Sequence, residues 1–162
     1  MRPTIKCLFT AAALLLGASA QADAQTLRLT AVLSGANETP AIVVTGATGT
    51  AEVFVNLATQ RVTYTVNVFN LPSGATGGHF HVGGPGAAGP VVVDLAPPPN
   101  ISNDFSLRGT ADSASLRPRA EQGIRTWEDF IQALVGGQVY VNIHSAVNPG
   151  GETRGQLTVV PE

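Results

Sequence analysis

The three histidines of this 162-residue chain are the residues best suited to chemistry, and they lie in two short segments. His79 and His81 flank Phe80, and His144 falls in the segment 138–145. Imidazole nitrogen is a ligand of zinc and copper, and three such ligands leave one coordination position open. The histidines are therefore candidates for a mononuclear copper or zinc site.

The alternation of side chains in these two segments predicts that the histidines share one face of a sheet. Successive side chains of a strand point to opposite faces, so Phe80 points away from its two histidine neighbours. The second segment alternates apolar residues with polar or aromatic ones, with Val139, Val141 and Ile143 against Tyr140, Asn142 and His144. If the two strands are neighbours, three imidazoles converge outside the core. The structural alternative is that the histidines bond loop carbonyls and contribute only to stability.

The charged residues near the C-terminal end follow the same alternation. With Leu157 facing inward, Glu152, Arg154 and Gln156 face outward, towards the histidines. Glu152 is therefore a candidate to orient an imidazole by accepting its N–H. Glu152 and Arg154 could instead pair with each other, because opposite charges two residues apart on a strand face are natural partners.

Two further residues complete the candidate site, and no catalytic residue joins them. Asn142 shares the face of His144, and Glu38 in the turn 37–40 is expected to accept hydrogen bonds from loop amides. The serine of Ser34-Gly35 lies in a turn and lacks the strand-to-helix context of a hydrolase nucleophile. We therefore expect a protein that is not an enzyme.

The N-terminus has the pattern of an export signal. Arg2 and Lys6 precede an apolar run that is too short to span a bilayer, which takes about 20 residues. Small residues then occur at the spacing of a cleavage site, which is predicted after Ala20 or Ala24. We expect residues 1–24 to be a signal peptide and the remainder to be periplasmic or secreted.

Composition limits what the exported chain can do. The only cysteine, Cys7, and the only lysine, Lys6, fall within the predicted signal. Their removal excludes disulfides, thiolate metal sites, cysteine nucleophiles and Schiff-base chemistry. A formal net charge of −2 without a basic cluster argues against nucleic acid and anionic membranes as partners. We expect no membrane insertion after the signal is removed.

The rest of the chain predicts an all-β fold. Short runs of period-two alternation, separated by turn residues, are typical of an antiparallel sandwich or barrel. The predicted strands are 27–33, 50–57, 61–68, 78–82, 90–95, 104–110, 138–145 and 156–160.

One segment has helical spacing instead. Thr126 is a candidate N-cap, and apolar residues recur from Trp127 to Val135 until Gly136-Gly137 ends the pattern. The sequence therefore predicts one short helix before the penultimate strand.

Three blocks of sequence resemble a known family. The blocks SGANETP (34–40), GGHFHVGGPGAAGPVVVDL (77–95) and YVNIHSAVNPGGETRGQL (140–157) are similar to the signature blocks of the CHRD domain, first described as a repeat in chordin. On this resemblance, residues 26–162 are identified as a CHRD domain. It implies an immunoglobulin-like antiparallel β-sandwich, or Greek-key barrel, with distant similarity to Cu/Zn superoxide dismutase. No activity is generally attributed to such domains.

The similarity to the dismutase carries over to two positions only. The run His79-Phe80-His81-Val82 resembles the copper-binding strand of that enzyme, which implies copper ligation by the two histidines. The enzyme also needs further histidines, a zinc-binding aspartate and a disulfide, whereas His144 is the only other histidine of this chain and the exported part has no cysteine. A dinuclear site and superoxide dismutase activity are therefore not expected.

The function expected from the sequence is that of an exported, non-enzymatic binding or structural module of the cell envelope or extracellular space. The alternative is a mononuclear copper or zinc protein that uses the three histidines. The corresponding partners are an extracytoplasmic protein of unspecified identity or a metal ion.

Overall fold

A computed structural model of the chain describes residues 25–40, 43–98 and 102–161, so the predicted signal peptide lies outside the described residues. Within these ranges there are nine strands and one α-helix. They are β1 (Thr26–Ser34), β2 (Thr48–Asn56), β3 (Arg61–Phe69), β4 (Ala75–Val82), β5 (Val91–Asp94), β6 (Phe105–Ala111), α1 (Trp127–Val135), β7 (Val139–Ser145), β8 (Thr153–Gln156) and β9 (Thr158–Val159).

The strands form one sheet in the order β5-β4-β7-β8-β1-β2-β3-β6, with β9 pairing with β1. The strand pairs are antiparallel. A bridge between Val93 in β5 and Leu116, shortly after β6, connects the two edges of the sheet into a nearly closed barrel. The predicted antiparallel all-β fold is confirmed.

The core is built from the inward positions of this sheet. Residues such as Val53, Val55, Val62 and Val66 are fully buried, whereas alternate positions of the same strands face outward. Phe80 lies among them, in edge-to-face contact with the ring of Tyr64 at 5.6 Å between centroids. Burial of alternate apolar side chains therefore fixes which face of each strand is turned away from the core.

The helix α1 begins and ends where the sequence predicted. The Thr126 hydroxyl accepts from the Asp129 backbone N–H, and the Asp129 carboxylate accepts from the Thr126 N–H, which completes a capping box. Trp127 packs into the core and donates its indole N–H to the carbonyl oxygen of Gln60, at 2.6 Å, in the turn between β2 and β3. No helix in the described part of the chain has the length and apolarity needed to cross a membrane.

The C-terminal strand differs from its prediction. The sequence predicted one strand over 156–160, but β8 begins at Thr153 and β9 follows after the buried residue Leu157. β8 pairs with β7, and β9 pairs with β1. The run Thr-Arg-Gly-Gln of β8 has no apolar alternation, because its long side chains contact polar loops instead of the core, and the pattern therefore concealed the strand.

Candidate metal centre

Direct pairing of β4 with β7 brings the three histidines together. In this register His81 lies opposite Tyr140, His79 opposite Asn142, and His144 opposite Gly77. The ring centroids are 4.8 Å apart for His79 and His144, 5.5 Å for His81 and His144, and 5.6 Å for His79 and His81. One nitrogen from each ring lies within 4.8 Å of the other two. The predicted convergence of the imidazoles is confirmed.

The histidines face away from the core but are not freely exposed. His81 is only 6% exposed, and the other two are partly buried. The segment 83–90 contacts His81 through Gly89, and the segment 146–151 contacts His144 through Pro149. Two loops therefore cover the outer face of the sheet at this point.

Two backbone carbonyls determine which nitrogens of these rings carry hydrogen. His81 Nδ1 lies 2.8 Å from the Gly89 oxygen, and His144 Nδ1 lies 3.0 Å from the Pro149 oxygen. A carbonyl oxygen can only accept, so both Nδ1 atoms donate, and the Nε2 atom of each neutral ring carries a lone pair. These two Nε2 atoms face each other at 3.4 Å.

This pair of nitrogens has the spacing of two ligands on one ion. A hydrogen bond between them would require one charged ring, but burial lowers the pKa of both, that of His81 to about 4. At neutral pH two lone pairs therefore face each other. Nitrogens bound at 2.0–2.1 Å to a tetrahedral zinc ion are separated by about 3.4 Å.

His79 supplies the third nitrogen. Its Nε2 lies 3.6 Å from Asp94 Oδ1, and Asp94 also pairs with Arg117. Its Nδ1 is buried and has no hydrogen-bond partner among the described residues. Burial, followed by the nearby His144, lowers the pKa of His79 and keeps the ring neutral. The nearby carboxylate favours hydrogen on Nε2, which leaves Nδ1 as the nitrogen that could bind an ion.

Tyr140 and Gly89 support His81, and neither was predicted from the sequence as a site residue. The Tyr140 ring stacks on the imidazole at 5.0 Å, and its hydroxyl donates to the same Gly89 oxygen at 3.1 Å. Position 89 has to be glycine, because a Cβ there would lie 1.6 Å from the Val82 oxygen. Alternation already placed Tyr140 on the histidine face. The loop path that brings the Gly89 carbonyl to the ring had no signal in the sequence.

Glu152 and Arg154 do not form the ion pair that was one of the two sequence interpretations. The Glu152 carboxylate accepts from Ser145 Oγ at 2.5 Å, from Asn148 Nδ2 at 2.6 Å and from the Thr45 hydroxyl. Burial tends to raise the pKa of Glu152, but these hydrogen bonds together lower it. The carboxylate bonds to the end of β7 and to two loop residues, and not to an imidazole.

Arg154 is buried and contacts Tyr140 from β8, whereas His81 contacts Tyr140 from β4. Its guanidinium lies 3.5 Å from the centroid of the Tyr140 ring. It also donates to the carbonyl oxygens of Gly84 and Ala87, each at 3.0 Å. Arg154 therefore holds the loop that carries Gly89, the residue whose carbonyl orients His81.

Glu38 and Asn142 form a second buried polar contact next to the histidines. Asn142 Nδ2 donates to Glu38 Oε2 at 3.3 Å, and Asn142 lies between His79 and Arg154 in the register of β4, β7 and β8. Burial raises the pKa of Glu38 to about 7. The structure thus places all four predicted supporting residues in the loops and strands around the histidines.

A family model matches most of the chain. Residues 29–157 match the family model of the CHRD domain. The chain belongs to the CHRD domain family. Comparison with curated proteins and with solved structures gave no match. Membership supports an extracellular setting for the domain and specifies no molecular function.

The CHRD match includes the whole candidate centre. It begins at Leu29 in β1, ends at Leu157 after β8, and contains the three histidines together with both loops that orient them. The site is thus part of the matched domain.

Proposed function

We propose that this CHRD-domain protein binds one copper or zinc ion through His79, His81 and His144. The observation that carries the proposal is the 3.4 Å separation of the His81 and His144 Nε2 atoms, each in a ring whose Nδ1 bonds a backbone carbonyl. A cation bound between these two nitrogens would replace the repulsion between their lone pairs with two coordinate bonds. His79 Nδ1 supplies the third bond.

The donor set favours a transition metal such as copper or zinc over calcium or magnesium. Three neutral nitrogens suit borderline metals, whereas calcium and magnesium need oxygen ligands. The nearest carboxylate to the rings, that of Asp94, lies behind His79 and supports it in the way that carboxylates support metal-binding histidines. Three protein ligands leave a fourth position for water or a small anion.

The orientation of the rings favours a role in holding or delivering metal. Carbonyls from two loops already set two of the rings, so binding an ion requires little rearrangement of the protein. Dismutase activity is not part of the proposal, because the sequence has only one histidine besides His79 and His81 and only one cysteine, too few for the ligands and the disulfide that the dismutase needs. We place the protein outside the cytoplasm, in the periplasm or the surrounding medium, because of the export pattern at its N-terminus.

A second candidate function is that of a binding or structural module, which the family membership favours. One observation supports it: Val44, before β2, and Val147, in the loop 146–151, are 99% and 67% exposed. Charged substitutions, Val44→Glu and Val147→Glu, would test this surface. They should abolish capture of an extracytoplasmic partner and leave metal binding unchanged, and retained capture would contradict it.

The metal proposal is tested by measuring metal content. The exported protein is purified, stripped, reloaded with zinc or with copper, and analysed for metal per chain alongside His79→Ala and His144→Ala. We expect about one ion per chain in the unaltered protein and none tightly bound in either variant. Thr63→Ala, an exposed change on β3, is the control. Sub-stoichiometric metal that neither histidine substitution affects would overturn the proposal.

A further inference from the structure

The Glu152 carboxylate is buried without a cation to balance it. Its side chain has no solvent exposure, and no ion pair involves it among the described residues. A buried charge is costly unless hydrogen bonds replace the water that it has lost. The ionised Glu152 is therefore stabilised by the neutral donors around it, and loss of the carboxylate would leave those donors without their acceptor.

Its three donors come from separate parts of the chain. Ser145 ends β7, Asn148 lies in the loop 146–151, and Thr45 lies in the segment before β2. Hydrogen bonds from neutral donors to a carboxylate are shorter and stronger than bonds between neutral groups. The carboxylate thus connects the loop 146–151 to the end of β7 and to the segment before β2.

The same loop carries the oxygen that orients His144. Ser145 directly follows His144, and Asn148 directly precedes Pro149, whose carbonyl accepts from His144 Nδ1 at 3.0 Å. The turn is closed by the Asn148 N–H, which donates to Ser145 Oγ at 3.0 Å. Ser145 and Asn148 both donate to Glu152, and they therefore fix the position of the Pro149 carbonyl.

From this geometry we propose that Glu152 is a positioning residue for His144. It holds the Pro149 carbonyl where the carbonyl keeps hydrogen on Nδ1 and directs the Nε2 lone pair at His81. His81 is held independently by Gly89, so loss of Glu152 affects His144 selectively. The metal consequence rests on the proposed function, whereas the effect on the His144 tautomer does not.

The test replaces the carboxylate by an amide of the same size, Glu152→Gln. The amide keeps one accepting oxygen and presents NH2 in place of the other, so either Thr45 or the pair Ser145 and Asn148 loses its acceptor and the loop is held more weakly. In the metal-free protein, 15N NMR of the imidazoles should show His144 shifting from the Nδ1–H tautomer to a mixture, with His81 unchanged. Zinc affinity should fall about 10- to 100-fold, as for other groups that support a metal ligand.

Two further variants make the result decisive. Glu52→Gln changes a partly exposed carboxylate on β2 and should alter neither measurement. If Glu152→Gln does not fold, Thr45→Val removes one donor and should produce a smaller shift in the same direction. An unchanged His144 tautomer, or equal shifts at His144 and His81, would overturn the positioning role. If the unaltered protein binds neither zinc nor copper but the tautomer shifts, the positioning role stands and the proposed function fails.

Discussion

His81 and His144 are each oriented by one backbone oxygen. The carbonyls of Gly89 and Pro149 select the tautomer, and the strand register then directs both Nε2 atoms to the same point. Alternation in the sequence was sufficient to predict that the rings share a face. It could not predict their orientation, because ring rotation depends on two loop carbonyls whose positions no sequence pattern specifies.

The first prediction concerns the titration of His81 in the metal-free protein. Burial lowers its pKa to about 4, against 6.5 in the unfolded chain. Between these values the unfolded chain binds a proton that the folded protein does not, so stability is full above pH 6.5 and falls as the pH approaches 4. The loss amounts to about 3 kcal/mol at most. The His81 ring protons followed by NMR should titrate near pH 4, and a midpoint near 6.5 would contradict the buried environment.

The second prediction concerns Glu38, whose pKa is raised by burial to about 7 from 4.5. The unfolded chain releases this proton above pH 4.5 and the folded protein retains it up to pH 7. The contribution of Glu38 to stability therefore falls as the pH rises through this window, by about 3 kcal/mol at most, and it opposes the rise that His81 contributes up to pH 6.5. Glu38→Gln should remove the Glu38 contribution, so the free energy of unfolding of the variant should increase relative to that of the unaltered protein between pH 4 and 8, as measured by urea unfolding of the metal-free protein. Glu121→Gln, at an exposed position, should give a curve parallel to that of the unaltered protein, and a parallel curve for Glu38→Gln would refute the prediction.

At the scale of elements, β4 and β7 carry the histidines, and the covering loops set the orientation and the tautomer of His81 and His144. β4 and β7 were predictable, because each alternates apolar residues with the ones that form the site. The helix α1 was predictable from its capping residues. β8 was not predictable, because a strand whose side chains contact loops has no apolar alternation. The covering loops were not predictable either, because they have no periodicity.

The third prediction tests one of these loops through Gly89. Gly89→Ala would place a Cβ against the Val82 oxygen, so the loop has to move and take its carbonyl away from His81 and Tyr140. We expect the free energy of unfolding to fall by about 1–3 kcal/mol. Zinc affinity, measured by competition with a chelating dye, should fall with it.

The control for this change is Gly46→Ala, where a Cβ would meet no atom within 4 Å. It should leave stability and zinc affinity close to those of the unaltered protein. Equal effects of the two substitutions would contradict a specific role for the Gly89 carbonyl.

At the scale of the whole molecule, one apolar core supports both the barrel and the candidate centre. Phe80 is fully buried and lies between the two histidines of β4, with Phe130 of α1 at 6.2 Å between ring centroids. The antiparallel class and the members of the core could be read from alternation. The order of the strands could not, because alternation says which face of a strand is buried but not which strand lies beside it.

The fourth prediction links the metal to the stability of the whole domain. An ion that binds only the folded protein stabilises it by about 2.7 kcal/mol when free metal is 100 times the dissociation constant. Zinc or copper should therefore raise the free energy of unfolding by this amount. The His79→Ala and His144→Ala variants should show no such increase, and an equal increase in them would point to binding elsewhere.

The last short strand of the domain lies against the first. Leu29 pairs with Val159, and the Val160 N–H donates to the Arg28 oxygen at 2.8 Å. Circular permutation should therefore succeed: a short glycine-serine linker could join residue 161 to residue 25, with new ends opened in the turn between β2 and β3. Every strand would keep its neighbours, and the three imidazoles would still meet between β4 and β7.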